Sequence, residues 1–115
     1  MEIIDKKQFL ENFQYFDDDV VLEIINIFID EYPVRMETLR KNIDEKDFDQ
    51  LKFNAHSLKG VVANFVAPEV QELARQIEMK GGSKDMTGME PLYEQLHEKT
   101  GIVIEELKEL RKNFE

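Results

Sequence analysis

A chain of 115 residues with 42% hydrophobic and 35% charged content is expected to fold as one domain over residues 1–115 rather than remain disordered. A formal net charge of −10 excludes nucleic acid and anionic membrane surfaces as natural partners, because their phosphates would be repelled. The lack of cysteine excludes disulfides, thiolate metal sites and cysteine nucleophiles. No apolar run approaches the ~20 residues of a membrane span, and Met1-Glu2-Ile3-Ile4-Asp5 does not start like a signal peptide. A cytoplasmic location without membrane insertion is therefore expected, either for a free-standing chain or for a domain of a larger protein.

Apolar spacing is helical almost throughout and no strand pattern stands out. A short first helix is predicted over Lys6–Phe13. Asp17, Asp18 and Asp19 then offer an N-cap and favourable first-turn charge to a second helix, with Val21, Ile24, Ile25, Phe28 and Tyr32 on one stripe. Pro33 predicts a break there, since the residue before proline avoids helical angles. A shorter helix from Val34 to about Glu45 should turn Met36, Leu39 and Ile43 inward. Asp47 caps a further helix whose stripe is Phe48, Leu51, Ala55, Leu58, Val62 and Phe65.

Ala67-Pro68-Glu69 opens the next helix, with proline in the first turn, where its missing N–H costs little. Its stripe is Val70, Leu73, Ala74 and Ile77. Lys80 through Gly88 reads as a flexible loop, and a last long helix carries Leu92, Leu96, Val103, Leu107, Leu110 and Phe114, with Gly101 as a site for a bend. The expected fold class is all-α: an antiparallel up-down-up-down four-helix bundle with an extra short N-terminal helical segment.

Against this background one segment carries chemistry. His56 lies about 100° off the core stripe of its helix, so His56, Lys59, Gly60 and Ala63 form an outward strip that Lys52 and Phe53 continue. Gly60 costs the helix about 1 kcal/mol against alanine, and clearance above the imidazole is a reason to keep it. Lys59 can neutralise part of the charge of a phosphorylated imidazole. His56 lies eleven residues before Ala67 and Glu78 eleven after it, so an antiparallel pair sets them level. A carboxylate there would hold the Nδ1 proton and leave Nε2 as the nucleophile. The same count sets Arg75 level with Lys59. Taken singly each residue has an ordinary reading, as a surface charge or a packing glycine; their shared face favours a working site.

Ala55-His56-Ser57-Leu58-Lys59-Gly60, followed by Ala63-Asn64-Phe65 and the Ile77-Glu78 pair, resembles the histidine-containing phosphotransfer (HPt) domain of multistep phosphorelays. The resemblance implies that His56 is the phosphoacceptor, supported by Lys59, Gly60 and Glu78. It implies acceptance of a phosphoryl group from an aspartyl phosphate on one receiver domain and delivery to another. Response-regulator receivers, and a hybrid histidine kinase carrying one, are the expected partners, with Mg²⁺ supplied by the receiver and no cofactor in this chain. Lys52, Phe53, Ala63, Phe13, Phe16 and Arg75 are candidate docking residues, and a monomer suffices. No P-loop is present, because Gly81-Gly82 lacks the lysine that must follow, so no autokinase activity is expected. The family usually has glycine where this chain has Val66, which predicts either a different turn or a helix running on to Ala67. Two rival readings are a non-catalytic helical adaptor and a metal-binding bundle using His56 and His97.

Overall fold

The computed structural model describes residues 2–115 and measures 42 × 22 × 19 Å. Its elements are α1 (Lys6–Phe13), α2 (Asp18–Asp44), α3 (Phe48–Ala63), α4 (Pro68–Gly82), α5 (Met89–Leu110) and a closing 3₁₀ turn (Arg111–Phe114). Helices α2 and α3, α3 and α4, α4 and α5, and α5 and α2 all pack together. The four long helices thus close into a ring around one core, and no strand occurs among the described residues. No described helix is long and apolar enough to cross a membrane.

The local signals act where they should. The Asp5 carboxylate caps α1 by accepting from Gln8 N–H at 3.1 Å, and Asp47 caps α3 by accepting from Gln50 N–H at 3.2 Å. Pro68 occupies the start of α4. The apolar stripes meet in the core, where Val21, Ile25, Leu51, Ala55, Val62, Val70, Ala74, Ile77, Leu96, Val103 and Leu107 are fully buried.

Tertiary packing overrides local expectation in several places. Pro33 does not break the chain; α2 runs unbroken for 27 residues with the proline inside it. Pro33 is exposed, and it deprives the carbonyl of Ile29 of its usual N–H partner. Phe28 before it and Met36 and Leu39 after it are all buried, so one core holds both halves of the helix. Helix α4 runs on through Gly82, because Gly81 lets it approach α3: a Cβ there would stand 3.1 Å from Lys52 N and 3.3 Å from Phe48 O. The remaining loop is tied rather than loose. Lys80 Nζ donates to the Thr87 carbonyl at 2.6 Å and Thr87 N–H to Asp85 Oδ1 at 2.9 Å. Gly101 makes no break in α5; it lies where a Cβ would meet the Tyr32 hydroxyl at 3.4 Å.

The N-terminal segment closes one end of the bundle. Phe9 is completely buried, with its ring 4.9 Å from Phe13, and 6.3 Å from both Phe65 and Phe114. The buried Glu106 carboxylate accepts from Ile3 N–H at 2.6 Å and Ile4 N–H at 2.7 Å. Asp5 N–H donates to the Val66 carbonyl at 2.9 Å.

Candidate functional site

Helix α3 buries Leu51, Ala55, Leu58 and Val62, which leaves the imidazole of His56 on the outer face with 66% of its side chain exposed. Helix α4 returns antiparallel and buries Ile77, so that Glu78 comes up at the edge of the α3/α4 seam. There one carboxylate serves two partners. Its Oε2 lies 2.8 Å from His56 Nδ1 and its Oε1 lies 2.6 Å from Lys59 Nζ. A carboxylate only accepts, so the proton sits on Nδ1 and the Nε2 lone pair is free. Burial pushes the Glu78 carboxyl up, but the hydrogen bonds from Lys59 and His56 outweigh it and hold it below the ordinary value, so it is ionised.

Access to Nε2 is open. Beyond its chain neighbours and the backbone of its own helix, no atom lies within 4 Å of the place a Cβ on Gly60 would occupy, and Ala63 is exposed one turn further on. Asp49, Lys52, Phe53, His56 and Glu78 line a groove of about 360 Å³. Phe53 is 67% exposed beside it.

Not every candidate is brought to this place. Phe13 is a core residue, 6% exposed beneath α1, because the N-terminal segment needs its ring to cover the bundle end; Phe16, 49% exposed, remains at the surface. Arg75 is close enough for its charge to act on Glu78 but bonds to neither Glu78 nor His56. Its guanidinium is held by Glu72 on its own helix, with Nε–Oε2 2.7 Å apart. His97 lies in the α2/α5 groove, stacked against Tyr32 and Tyr93 with ring centroids 6.2 and 5.9 Å apart, on the side of the bundle away from His56. The two histidines therefore share no site, and no cluster of three or more metal-ligating side chains occurs among the described residues.

Val66 follows neither expected course. Helix α3 stops at Ala63, and Val66 itself takes the left-handed conformation at φ 56°. For a β-branched residue this costs at least 1–2 kcal/mol. The turn is held by the bond from Asp5 and by the packing of Val66 against the core. The geometry a glycine would give is thus kept, and Glu78 stays level with His56.

Two features near the site went unread in the sequence. Arg35 of α2 donates to Ser57 Oγ at 3.1 Å, next to His56, and is held by Glu31. The i,i+4 spacing of Glu31 and Arg35 was visible, but their position against α3 depends on how the helices pack. Val20, Ile27 and Val34, at seven-residue spacing on α2, are 41%, 48% and 62% exposed. Ile24 and Ile27 line a groove with Val61 and Asn64 of α3.

The family model of the Hpt domain matches residues 23–113. The chain belongs to the Hpt domain family. It is a histidine phosphotransfer intermediate of phosphorelays, a class of domain that interacts with receiver domains and kinases. Among solved structures it is similar to histidine-containing phosphotransfer protein B (HptB) of Pseudomonas aeruginosa PAO1, with a TM-score of 0.88, 19% identity, and coverage of 98% of this chain and 97% of that one. At that identity the likeness speaks for the Hpt fold alone. No curated protein matches the chain at a significant level.

Proposed function

We propose that His56 is the phosphoacceptor of this Hpt domain, loaded from the aspartyl phosphate of one receiver domain and unloaded onto the aspartate of another. The observation that carries this reading is an imidazole 66% exposed whose Nδ1 is bonded to Glu78, beside a Gly60 that adds no side chain to the same helix face. In loading, the Nε2 lone pair attacks phosphorus, the P–O bond to the receiver's aspartate breaks, and that carboxylate leaves. The Nδ1 proton stays in place, and the cationic ring is balanced by Glu78. Unloading reverses these steps. Phosphoryl transfer of this kind depends mainly on positioning and charge neutralisation, which an aimed imidazole and Lys59 can supply.

Mg²⁺ is assigned to the receiver partner, where it would neutralise phosphoryl charge; this chain needs no cofactor of its own and no nucleotide site. Lys52, Phe53, Phe16 and Ala63, together with the α2 stripe of Ile27 and Val34, form the docking face, with an apolar centre and a polar rim. The acidic chain favours receivers with basic faces. A cytoplasmic monomer is sufficient for the role.

The test is transfer from a receiver domain charged with a small phosphodonor and Mg²⁺, on wild type and His56→Gln. A label on wild type alone is expected, acid-labile and base-stable once the protein is denatured. Binding of receivers with no label on a folded wild-type protein would refute the reading and favour an adaptor.

A further inference from the structure

Resting on the reading of His56 as the phosphoacceptor, we infer that Glu78 sets the lifetime of the phosphorylated protein by keeping the Nδ1 proton on the ring to which the phosphoryl group is attached. Among the described residues Glu78 is the one hydrogen-bond partner of the imidazole, at 2.8 Å, and its side chain is 16% exposed, so solvent competes weakly for its oxygens.

The chemistry of departure explains why that proton matters. When the P–Nε2 bond breaks, its electron pair stays on Nε2, and the phosphoryl group passes to a carboxylate oxygen of a receiver or to water. With Nδ1–H in place the ring leaves as neutral imidazole. Without it the ring must leave as an imidazolate anion, a far poorer leaving group. A carboxylate on Nδ1 holds the labile form in being at alkaline pH. At acid pH the ring is protonated in any case, and the carboxylate then stabilises the cationic phosphorylated form more than a transition state in which the ring charge is fading. Glu78 thereby flattens the dependence of phosphohistidine lifetime on pH.

The remaining charges around the ring do not supply this effect. On α3, Asp49 and Lys52 line the groove, and Lys59 is bonded to Glu78 rather than to the imidazole. On α4, Arg75 is engaged by Glu72. On α2, Arg35 is engaged by Glu31 and by Ser57. The bonds from Lys59 and His56 hold the Glu78 carboxyl below its ordinary value, which keeps it ionised toward acid pH.

The experiment loads the protein with phosphoramidate instead of a receiver and follows loss of the label at about pH 9 and about pH 5 in wild type and Glu78→Gln, with His56→Gln as the background for His97. At the alkaline end Glu78→Gln should keep its label about fivefold longer, the equivalent of ~1 kcal/mol in barrier height. At the acid end its lifetime should match or fall below that of wild type. Release of Lys59 toward the phosphoryl group would lengthen both lifetimes alike, so the ratio between the two ends isolates the ring proton. NMR of the ring nitrogens at the alkaline end should show Nδ1 protonated in loaded wild type and unprotonated in loaded Glu78→Gln. A ratio that does not change with pH would overturn the inference. If loaded wild type hands its label to receivers and the ratio is flat, this inference alone fails; if it hands label to no receiver, the phosphorelay reading fails with it.

Discussion

Gly60 separates the needs of the fold from the needs of the chemistry. It sits in the interior of α3, and beyond its chain neighbours and the backbone of its own helix no atom lies within 4 Å of where a Cβ would stand. Gly60→Ala therefore adds a methyl group without a clash and reduces the freedom of the unfolded chain. The expected gain is about 0.5–1 kcal/mol. For a chain of this size that corresponds to a rise in Tm of roughly 2–4 °C. Gly60→Gln shares most of this gain, since glutamine is a good helix former. A helical side chain, however, leans back toward the N-terminus and covers the preceding turn. From position 60 it would lie across His56. Transfer from a charged receiver should then fall at least about tenfold, or ~1.4 kcal/mol in barrier height, while circular dichroism stays unchanged. Thermal melts and single-turnover transfer on the same preparations give both readings. A lower Tm for Gly60→Ala, or wild-type transfer rates for Gly60→Gln, would refute the argument that this glycine serves clearance alone.

Three further outcomes follow from other contacts. Glu106→Ala strands the buried N–H groups of Ile3 and Ile4, and urea denaturation should show a loss of about 3 kcal/mol; a loss below about 1 kcal/mol would mean that water replaces the carboxylate. Pro33→Ala restores an N–H to the Ile29 carbonyl inside α2 and should stabilise by about 1–2 kcal/mol, so a fall in Tm would show that the proline supports the helix packing. Ile27→Lys should slow receiver-dependent transfer about tenfold, as loss of an apolar interface anchor does, and leave direct loading by phosphoramidate unchanged; equal loss in both assays would place Ile27 outside the docking face.

Much of the local structure was legible along the chain. The bounds of α1, the Asp47 cap, Pro68 at the start of α4 and the core stripes all depend on residues within a turn or two of each other, where helical periodicity and capping act. The strip of His56, Lys59 and Gly60 is of the same kind, because spacings of three and four place residues on one face whatever surrounds the helix. Even the meeting of His56 with Glu78 follows from counting outward from the turn at Ala67, since two antiparallel helices rise equally per residue.

What the tertiary structure alone decided is a set of contests between local preference and burial. Proline disfavours helix, yet one buried core on both sides of Pro33 keeps α2 unbroken through it. Valine disfavours positive φ, yet Val66 adopts it because its packing and the bond from Asp5 hold the turn. Phe13 and Phe16 are alike as residues. Only the covering of the bundle end buries one and leaves the other at the surface. The bonds from Ile3 and Ile4 to Glu106 span more than 100 residues of chain, and no local pattern announces them. Periodicity and capping are energies of neighbours and can be read in order. Burial is an energy of the whole fold, and it is settled only when distant segments have taken their places.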